Sequence, residues 1–179
     1  MVLGIDEIHR RVKEEKLLEG LSDRELNNPE GTGMDLRIGK AFRIEGEAFL
    51  GIEKRNTPKP VLIAEFVPGK TATITLKPGD FVLTETVEKF NMPMGLVGVA
   101  KPRTTLHRSG VIARMGVVDP GYSGTVHPAL FNAGPSVVTI EMGARYINVM
   151  FFEIKGTTKQ YRGQWQGGRV AAEETETQI

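Results

Sequence analysis

The 179-residue chain contains no cysteine, which excludes a disulfide framework and zinc sites built on thiolates. It also lacks long apolar runs. The longest, such as residues 95–100 and 149–152, fall far short of the roughly 18 residues that a membrane-spanning helix needs. No basic stretch followed by an apolar export run stands at the start. We therefore expect no membrane partner and a cytoplasmic location.

Positive and negative charges are nearly balanced, with 23 Lys and Arg residues and 22 Asp and Glu residues. Such a balance does not create the basic field of a DNA- or RNA-binding protein, so we expect neither partner. The three histidines, His9, His107 and His127, do not have the spacing of a local metal motif. A transition-metal site is therefore not expected.

The order of patterns along the chain predicts a mainly β protein with one short helix. Apolar residues recur at helical spacing only near the start, which predicts a helix over about residues 5–18. Later segments are short, alternating runs bounded by Pro or Gly, as in β-barrels and jelly rolls. We expect a single β domain over residues 1–170. The acidic tail, 171–179, contains no aromatic residue, so we expect it to stay outside the core as a disordered segment.

Two hairpins are predicted in this β region. Residues 71–76 alternate polar and apolar side chains, Lys77-Pro78-Gly79-Asp80 forms a turn, and residues 81–84 resume the strand. The same scheme recurs in residues 137–154, with a turn at residues 141–144. Each turn would join two neighbouring antiparallel strands.

Two stretches combine polar groups that suit a triphosphate. In residues 101–110, Arg103 and Arg108 flank the hydroxyls of Thr104 and Thr105, and together they offer cationic and neutral donors for phosphate oxygens. A solvated surface explains them equally well. In residues 115–124, Asp119 ends an apolar run and begins a Pro-Gly turn. It can act as a general base on a rigid support or simply cap an ordinary turn.

Two further stretches carry weaker signals. Asp35 and Arg37 alternate with apolar residues, so both point to one side of a strand, where an exposed cross-strand ion pair is the alternative. Residues 159–169 combine the only tryptophan, Trp165, with several glycines. That segment can fold over a ligand and stack an aromatic ring on a base, or it can be a flexible linker with one packed Trp.

Taken together and in this order, the four stretches resemble the successive motifs of the dUTPase and dCTP deaminase superfamily over residues 33–168. Residues 33–39 resemble the first motif, residues 103–108 the phosphate motif and residues 118–124 the third motif. Residues 76–83 and 160–164 are similar to segments of the deaminase branch. The resemblance implies a distorted jelly-roll or β-barrel of the dUTPase type and a homotrimer with its sites between subunits.

The resemblance also implies roles for individual residues. Asp119 matches the aspartate that orients the attacking water, and Tyr122 matches the tyrosine that packs under deoxyribose. Gln164 matches the closing segment, which together with Trp165 is expected to bind substrate. In the family, backbone groups of a hairpin after the third motif, here about residues 124–131, recognise uracil.

Residue 129 departs from the deaminase pattern. Ten residues after Asp119, the deaminases carry a glutamate that activates water for attack on cytosine, whereas this chain has Ala129, whose methyl group cannot transfer protons. We therefore predict a dUTP pyrophosphatase that forms dUMP and pyrophosphate with Asp119 as the base.

This reaction calls for Mg²⁺ to gather the phosphate oxygens, and Asp35 is a candidate contact to that ion through water. One alternative is a dCTP deaminase in which His127 or Glu141 replaces the missing glutamate. The other is a catalytically idle protein that binds deoxynucleotides.

Overall fold

The computed structural model describes residues 1–178. Within them it contains three helices, α1 (Ile5–Glu15), α2 (Asp23–Asn27) and α3 (Thr104–Arg108). The first eight strands are β1 (Leu18–Glu19), β2 (Met34–Glu45), β3 (Phe49–Leu50), β4 (Lys54–Asn56), β5 (Lys59–Glu65), β6 (Thr73–Leu76), β7 (Phe81–Thr86) and β8 (Lys89–Asn91). The remaining strands are β9 (Leu96–Pro102), β10 (Val111–Arg114), β11 (Ser123–Gly124), β12 (Ala129–Asn132), β13 (Val138–Glu141), β14 (Arg145–Glu153) and β15 (Glu176–Thr177).

The amino-terminal helix is shorter than the predicted span of residues 5–18. Helix α1 ends at Glu15 because Lys16 adopts a left-handed conformation with φ of 54°. Leu17 and Leu18, which continue the helical pattern, instead enter the core, and Leu18 begins β1. No helix in residues 1–178 has the length and apolar character needed to cross a membrane.

The main sheet has the strand order β10-β12-β7-β2-β14-β9, and β5 pairs with β2. Its two end strands, β9 and β10, lie close to each other, so the sheet is a nearly closed barrel. Strand β2 is long enough to pair with β14 in its first part and with β7 and β5 in its second, and register shifts accompany the change of partner. The predicted mainly β fold with a short helix at its start is confirmed.

Both predicted hairpins are wrong, although their turns form. The Asp80 N–H donates to the Lys77 carbonyl (2.9 Å), and the Asp80 carboxylate accepts from the Lys77 N–H (2.7 Å). The strands on either side of this turn do not pair. Strand β6 pairs with β13, whereas β7 pairs with β12 and β2. The turn between β13 and β14 behaves in the same way, so each turn carries the chain from a two-stranded sheet into the barrel.

Alternation along β7 and β12 gives these strands two distinct faces. Val82 and Leu130 are register partners that point into the core, where both are buried. Leu83 and Ala129 are also register partners and point to the opposite side. We call the side of β7 and β12 that carries Leu83 and Ala129 the outer face.

The acidic tail was expected to be disordered and separate from the core. Up to residue 178 it is instead packed against the rest of the chain. Ala172 is only 5% exposed, and its N–H donates to the Thr57 hydroxyl (2.8 Å). Strand β15 pairs with β4. Glu176 forms an ion pair with Arg169 (2.5 Å). Backbone pairing and one ion pair therefore bring a short polar segment onto the rest of the chain.

A buried ion pair joins β2 to the segment before β8. Glu88 is fully buried; one of its carboxylate oxygens accepts from Arg37 Nε (2.7 Å) and the other from the Arg37 N–H (2.8 Å). Burial raises the pKa of Glu88, although the hydrogen bonds from Arg37 oppose this. Among the described residues, Arg37 is the one cationic partner of this carboxylate and keeps it in place.

We expect Glu88→Ala to lower the free energy of unfolding by about 2 kcal/mol, because it leaves the Arg37 groups without their acceptor. Urea denaturation monitored by circular dichroism measures this. Glu45→Ala, which removes an exposed carboxylate from the same strand as Arg37, should change stability by less than about 0.5 kcal/mol. Equal denaturation midpoints for the two variants would contradict the expected role of Glu88.

Candidate active site

The loop that carries Asp119 is fixed to neighbouring strands by backbone hydrogen bonds. Val118 exchanges two hydrogen bonds with Gly98 of β9 (2.8 and 2.9 Å). The Tyr122 N–H donates to the Asp119 carbonyl (3.1 Å) and closes the turn, and the Met92 N–H donates to the Tyr122 carbonyl (2.8 Å). Asp119 therefore lies in a turn, as one of its two sequence-based interpretations holds, and that turn is rigidly supported.

Tyr122 is packed beneath this loop. Its side chain is buried, its hydroxyl donates to the Thr125 carbonyl, and its ring meets that of Tyr161 edge to face with centroids 5.5 Å apart. Burial, with a smaller contribution from Tyr161, raises the pKa of Tyr122 to about 12. The phenol therefore stays neutral at physiological pH and presents an aromatic surface.

Residues 160–170, which we call the C-terminal segment, dock onto the same loop of their own chain. The Tyr161 N–H donates to the Pro120 carbonyl (2.8 Å), and the Gly167 N–H donates to the Ser123 carbonyl (2.8 Å). The Gln166 side chain adds a bond to the Gly121 carbonyl (3.0 Å). The segment containing Trp165 is thus a docked cover and not a free linker.

A pocket of about 420 Å³ lies between the Asp119 loop, the C-terminal segment and the outer face of β7. We call it the Asp119 pocket. Asp119, Tyr122 and Trp165 line it together, as expected for residues of one site. Leu83 forms an apolar part of its wall. Arg169 also lines the pocket. Among the described residues that line it, no other carries an ammonium or guanidinium group.

Sequence reasoning missed Arg169 and Thr57 as lining residues. Arg169 lies at the end of the Trp165 stretch, so its position beside the only tryptophan was an available signal. Thr57 comes from the β4–β5 region and carries no motif. Its hydroxyl accepts a hydrogen bond from the Ala172 N–H of the tail, a contact between distant parts of the chain that no local pattern predicts.

Four of the predicted substrate-binding residues lie elsewhere. Arg103, Thr104, Thr105 and Arg108 belong to the start and body of α3, and none of them lines the Asp119 pocket. Thr104, Thr105 and Arg108 are exposed. Within one chain, the structure therefore does not bring the expected phosphate-binding helix to the expected base.

Gln164 also does not line the pocket, although it lies beside Trp165. Both polar atoms of its side-chain amide are buried, and neither has a hydrogen-bond partner within residues 1–178. A buried amide without hydrogen-bond partners lowers the stability of the folded state, as expected for a side chain whose partner is a ligand. Its expected contact with substrate stays a prediction.

Both carboxylate oxygens of Asp35 already have side-chain partners, and its expected contact to magnesium through water stays a prediction. One of its carboxylate oxygens accepts from Asn148 Nδ2 (2.9 Å), and the other accepts from Arg145 (3.0 Å) and Arg103 (2.7 Å). It does not pair with Arg37 either, because Arg37 binds Glu88. Asp35 therefore anchors Arg103, the first residue before α3.

A resident magnesium ion also lacks a preformed site. Residues 1–178 contain no group of three or more His, Asp or Glu side chains arranged to hold a metal, and Asp119 is the single carboxylate that lines its pocket. Mg²⁺ is often bound by one carboxylate together with substrate phosphates. The described residues fit such substrate-delivered binding better than a site of their own.

Residue 129 lies on the outer face, where Ala129 is the register partner of Leu83. His127 points to the same face and lines the Asp119 pocket. Its Nε2 lies 3.2 Å from Oε2 of Glu85. The other substitute considered from sequence, Glu141, is exposed at the end of β13, opposite Thr73, and does not line the pocket.

The segment expected to be a uracil-binding hairpin has a different structure. Residues 124–131 connect β11, which pairs with β8, to β12, which pairs with β10 and β7. The two ends of the segment thus belong to different sheets. It runs past the pocket as a connection and not as a hairpin.

The nearly closed barrel and its pocket define a β-barrel protein of the dUTPase and dCTP deaminase class, as the sequence motifs imply. The sequence profile of the dCTP deaminase-like family matches residues 2–154. The chain belongs to the dCTP deaminase-like family, and this is an enzyme family.

Two relatives of known name illustrate the match. The chain is 31% identical over 163 residues to the dCTP deaminase of Thermococcus kodakarensis. This alignment covers 90% of this chain and 92% of that relative. It is 31% identical over 159 residues to the "dCTP deaminase, dUMP-forming" of Dictyoglomus turgidum, which covers 86% and 81%.

A solved structure shares the fold. The 2'-deoxycytidine 5'-triphosphate deaminase from Agrobacterium tumefaciens superposes with a TM-score of 0.64 at 17% identity. The match covers 84% of this chain but only 46% of that one, so this chain spans about half the length of that protein. At this identity, the likeness concerns the fold alone.

Proposed function

We propose that this chain binds a pyrimidine deoxynucleoside triphosphate in the Asp119 pocket and that its reaction is the deamination of dCTP. The observation that carries the proposal is that His127, a proton-transfer group, lines the same pocket as Asp119 and Tyr122. The names of the relatives also favour deamination of dCTP over hydrolysis of dUTP.

Deamination replaces the amino group at C4 of cytosine with oxygen. Asp119 orients a water molecule, whose oxygen bonds to C4 as one water proton passes to the imidazole of His127. The imidazolium returns this proton to the leaving amino group, the C4–N bond breaks and ammonia departs. The second water proton passes to N3, so dCTP and water yield dUTP and ammonia.

The other groups of the pocket suit the rest of a nucleotide. The neutral ring of Tyr122 offers a flat surface for deoxyribose, and Trp165 can stack on the base. Arg169 can pair with a phosphate oxygen. Arg103, Thr104, Thr105 and Arg108 do not line this pocket, so in this proposal another copy of the chain supplies them to the triphosphate, as in the homotrimer that the resemblance implies.

Hydrolysis of dUTP to dUMP and pyrophosphate is the second candidate, and Ala129 favours it. Asp119 would then orient water for attack on the α-phosphorus, and no proton relay at the base is needed. Bound magnesium would neutralise charge on the leaving pyrophosphate. Within residues 1–178, Asp119 is the single carboxylate lining the pocket, which suits a reaction that uses one base.

One assay separates these reactions. The purified protein is incubated with dCTP and, separately, with dUTP in magnesium, and ammonia and pyrophosphate are followed together. Ammonia from dCTP that is lost in His127→Gln supports the proposal. Pyrophosphate from dUTP without ammonia from dCTP overturns it in favour of the second candidate. Nucleotide binding without either product would indicate an idle binding protein.

A further inference from the structure

A row of three polar side chains crosses the outer face beside the Asp119 pocket. Lys40 of β2 and Glu85 of β7 are register partners, with Nζ 3.0 Å from Oε1. On its other side, Glu85 Oε2 lies 3.2 Å from His127 Nε2. The Glu85 and His127 side chains are only 14% and 12% exposed. The row thus connects a cation, a carboxylate and an imidazole.

Backbone bonds on both sides hold Glu85 opposite His127. The Thr84 N–H donates to the Pro128 carbonyl (2.8 Å), and the Thr86 N–H donates to the Val126 carbonyl (3.1 Å). These two bonds continue the antiparallel register of β7 and β12 past its last strand pair, Leu83 and Ala129, and flank the position where Glu85 lies opposite His127. Backbone hydrogen bonds of the sheet therefore hold Glu85 and His127 in contact.

The charge on Glu85 decides which nitrogen of His127 carries a proton. Burial tends to raise the pKa of Glu85, but hydrogen bonds from His127 and Lys40 outweigh it and lower the pKa. An ionised carboxylate can only accept hydrogen bonds, so His127 Nε2 must be the donor. Within residues 1–178, no hydrogen bond occupies Nδ1.

We propose that Glu85, held by Lys40, is a positioning residue that fixes His127 in its Nε2–H form, so that Nδ1 serves the pocket as the proton acceptor. A histidine with a carboxylate partner is oriented and kept in one tautomer by that partner. Glu85 does not line the pocket itself. Glu85 compensates for Ala129 indirectly, because it orients His127. His127 lies two residues before Ala129, on the same face.

This inference rests on the proposed deamination, but its first test does not. Long-range ¹H–¹⁵N spectra of the ligand-free protein, recorded where the His127 ring is neutral, report its tautomer. We expect a single Nε2–H form in the wild type and a mixture in Glu85→Met, which has no acceptor oxygen. Glu65→Met is the matched control, because Glu65 of β5 is also a register partner of Lys40 but has no bond to His127.

The second readout separates kcat from KM for ammonia release. We expect Glu85→Met to lower kcat about 30-fold and to leave KM nearly unchanged. This is the size of effect seen for residues that orient a functional side chain through a hydrogen bond. Glu85→Asp, which keeps the charge, should recover part of this loss, and Glu65→Met should match the wild type. If Glu85→Met does not fold, Glu85→Gln, which has nearly the same shape, replaces it in the kinetic test.

The outcomes distinguish the two proposals. A single Nε2–H form in Glu85→Met, or an unchanged kcat, overturns the role of Glu85. A tautomer mixture in Glu85→Met together with a wild type that releases no ammonia leaves the positioning of His127 standing and overturns the proposed deamination.

Discussion

Replacing Asp119 with Asn is expected to lower turnover about 10³-fold while nucleotide binding stays nearly unchanged. The amide has the shape of the carboxylate but carries no charge and has one acceptor oxygen instead of two, so it no longer orients the attacking water for proton transfer. Groups positioned for such a transfer typically contribute 10²–10⁴-fold. The rigid turn around Asp119, with its backbone bonds to the neighbouring strands, should hold the amide in the same place. The measurements are the rates of ammonia and pyrophosphate release and calorimetric nucleotide binding.

Asp80→Asn is the matched control. Asp80 also lies in a Pro-Gly turn, where its carboxylate accepts from the Lys77 N–H, but it does not line the pocket. An asparagine oxygen can still accept that bond, so turnover should be unchanged. Full activity in Asp119→Asn would show that the catalytic water is oriented by some other group, for either of the two reactions.

Replacing Gly124 with Ala is expected to detach the C-terminal segment. Gly124 has φ of 142°, and a Cβ there would lie 2.3 Å from the backbone nitrogen of Gly168. Backbone cannot move aside as a flexible side chain can, so the segment must leave its docked position. The pocket then loses Trp165, and nucleotide affinity should fall about 100-fold, at the upper end of the roughly 1–3 kcal/mol that base–aromatic stacking contributes.

The only tryptophan makes this loss measurable. Trp165 emission should shift to longer wavelength in Gly124→Ala as the ring becomes exposed to water, and limited proteolysis should cut the chain near residues 156–160. Gly95→Ala is the control, because a Cβ at Gly95 meets nothing within 4 Å. Unchanged emission and affinity in Gly124→Ala would mean that the docked segment does not form part of the binding site.

The residues expected at one site separate into two groups in the structure. Asp119, Tyr122 and Trp165 meet because the loop and the C-terminal segment bond directly to each other. Arg103 and its helix were expected beside them, but that expectation came from the order of motifs, which says nothing about distance within one chain. The link between Glu85 and His127 could not be predicted either, because it joins residues 42 positions apart.

The sequence by itself determined the class of fold, the places where the chain turns and the identity of the Asp119 loop. These features depend on local chemistry, since alternation, Pro-Gly turns and short motifs act within a few residues. Only the tertiary structure decided which strands pair, since a turn such as Lys77–Asp80 reverses the chain without choosing its partner. It also decided which side chains meet, because β7 and β12 are far apart along the chain and become neighbours only in the folded sheet, where Glu85 contacts His127.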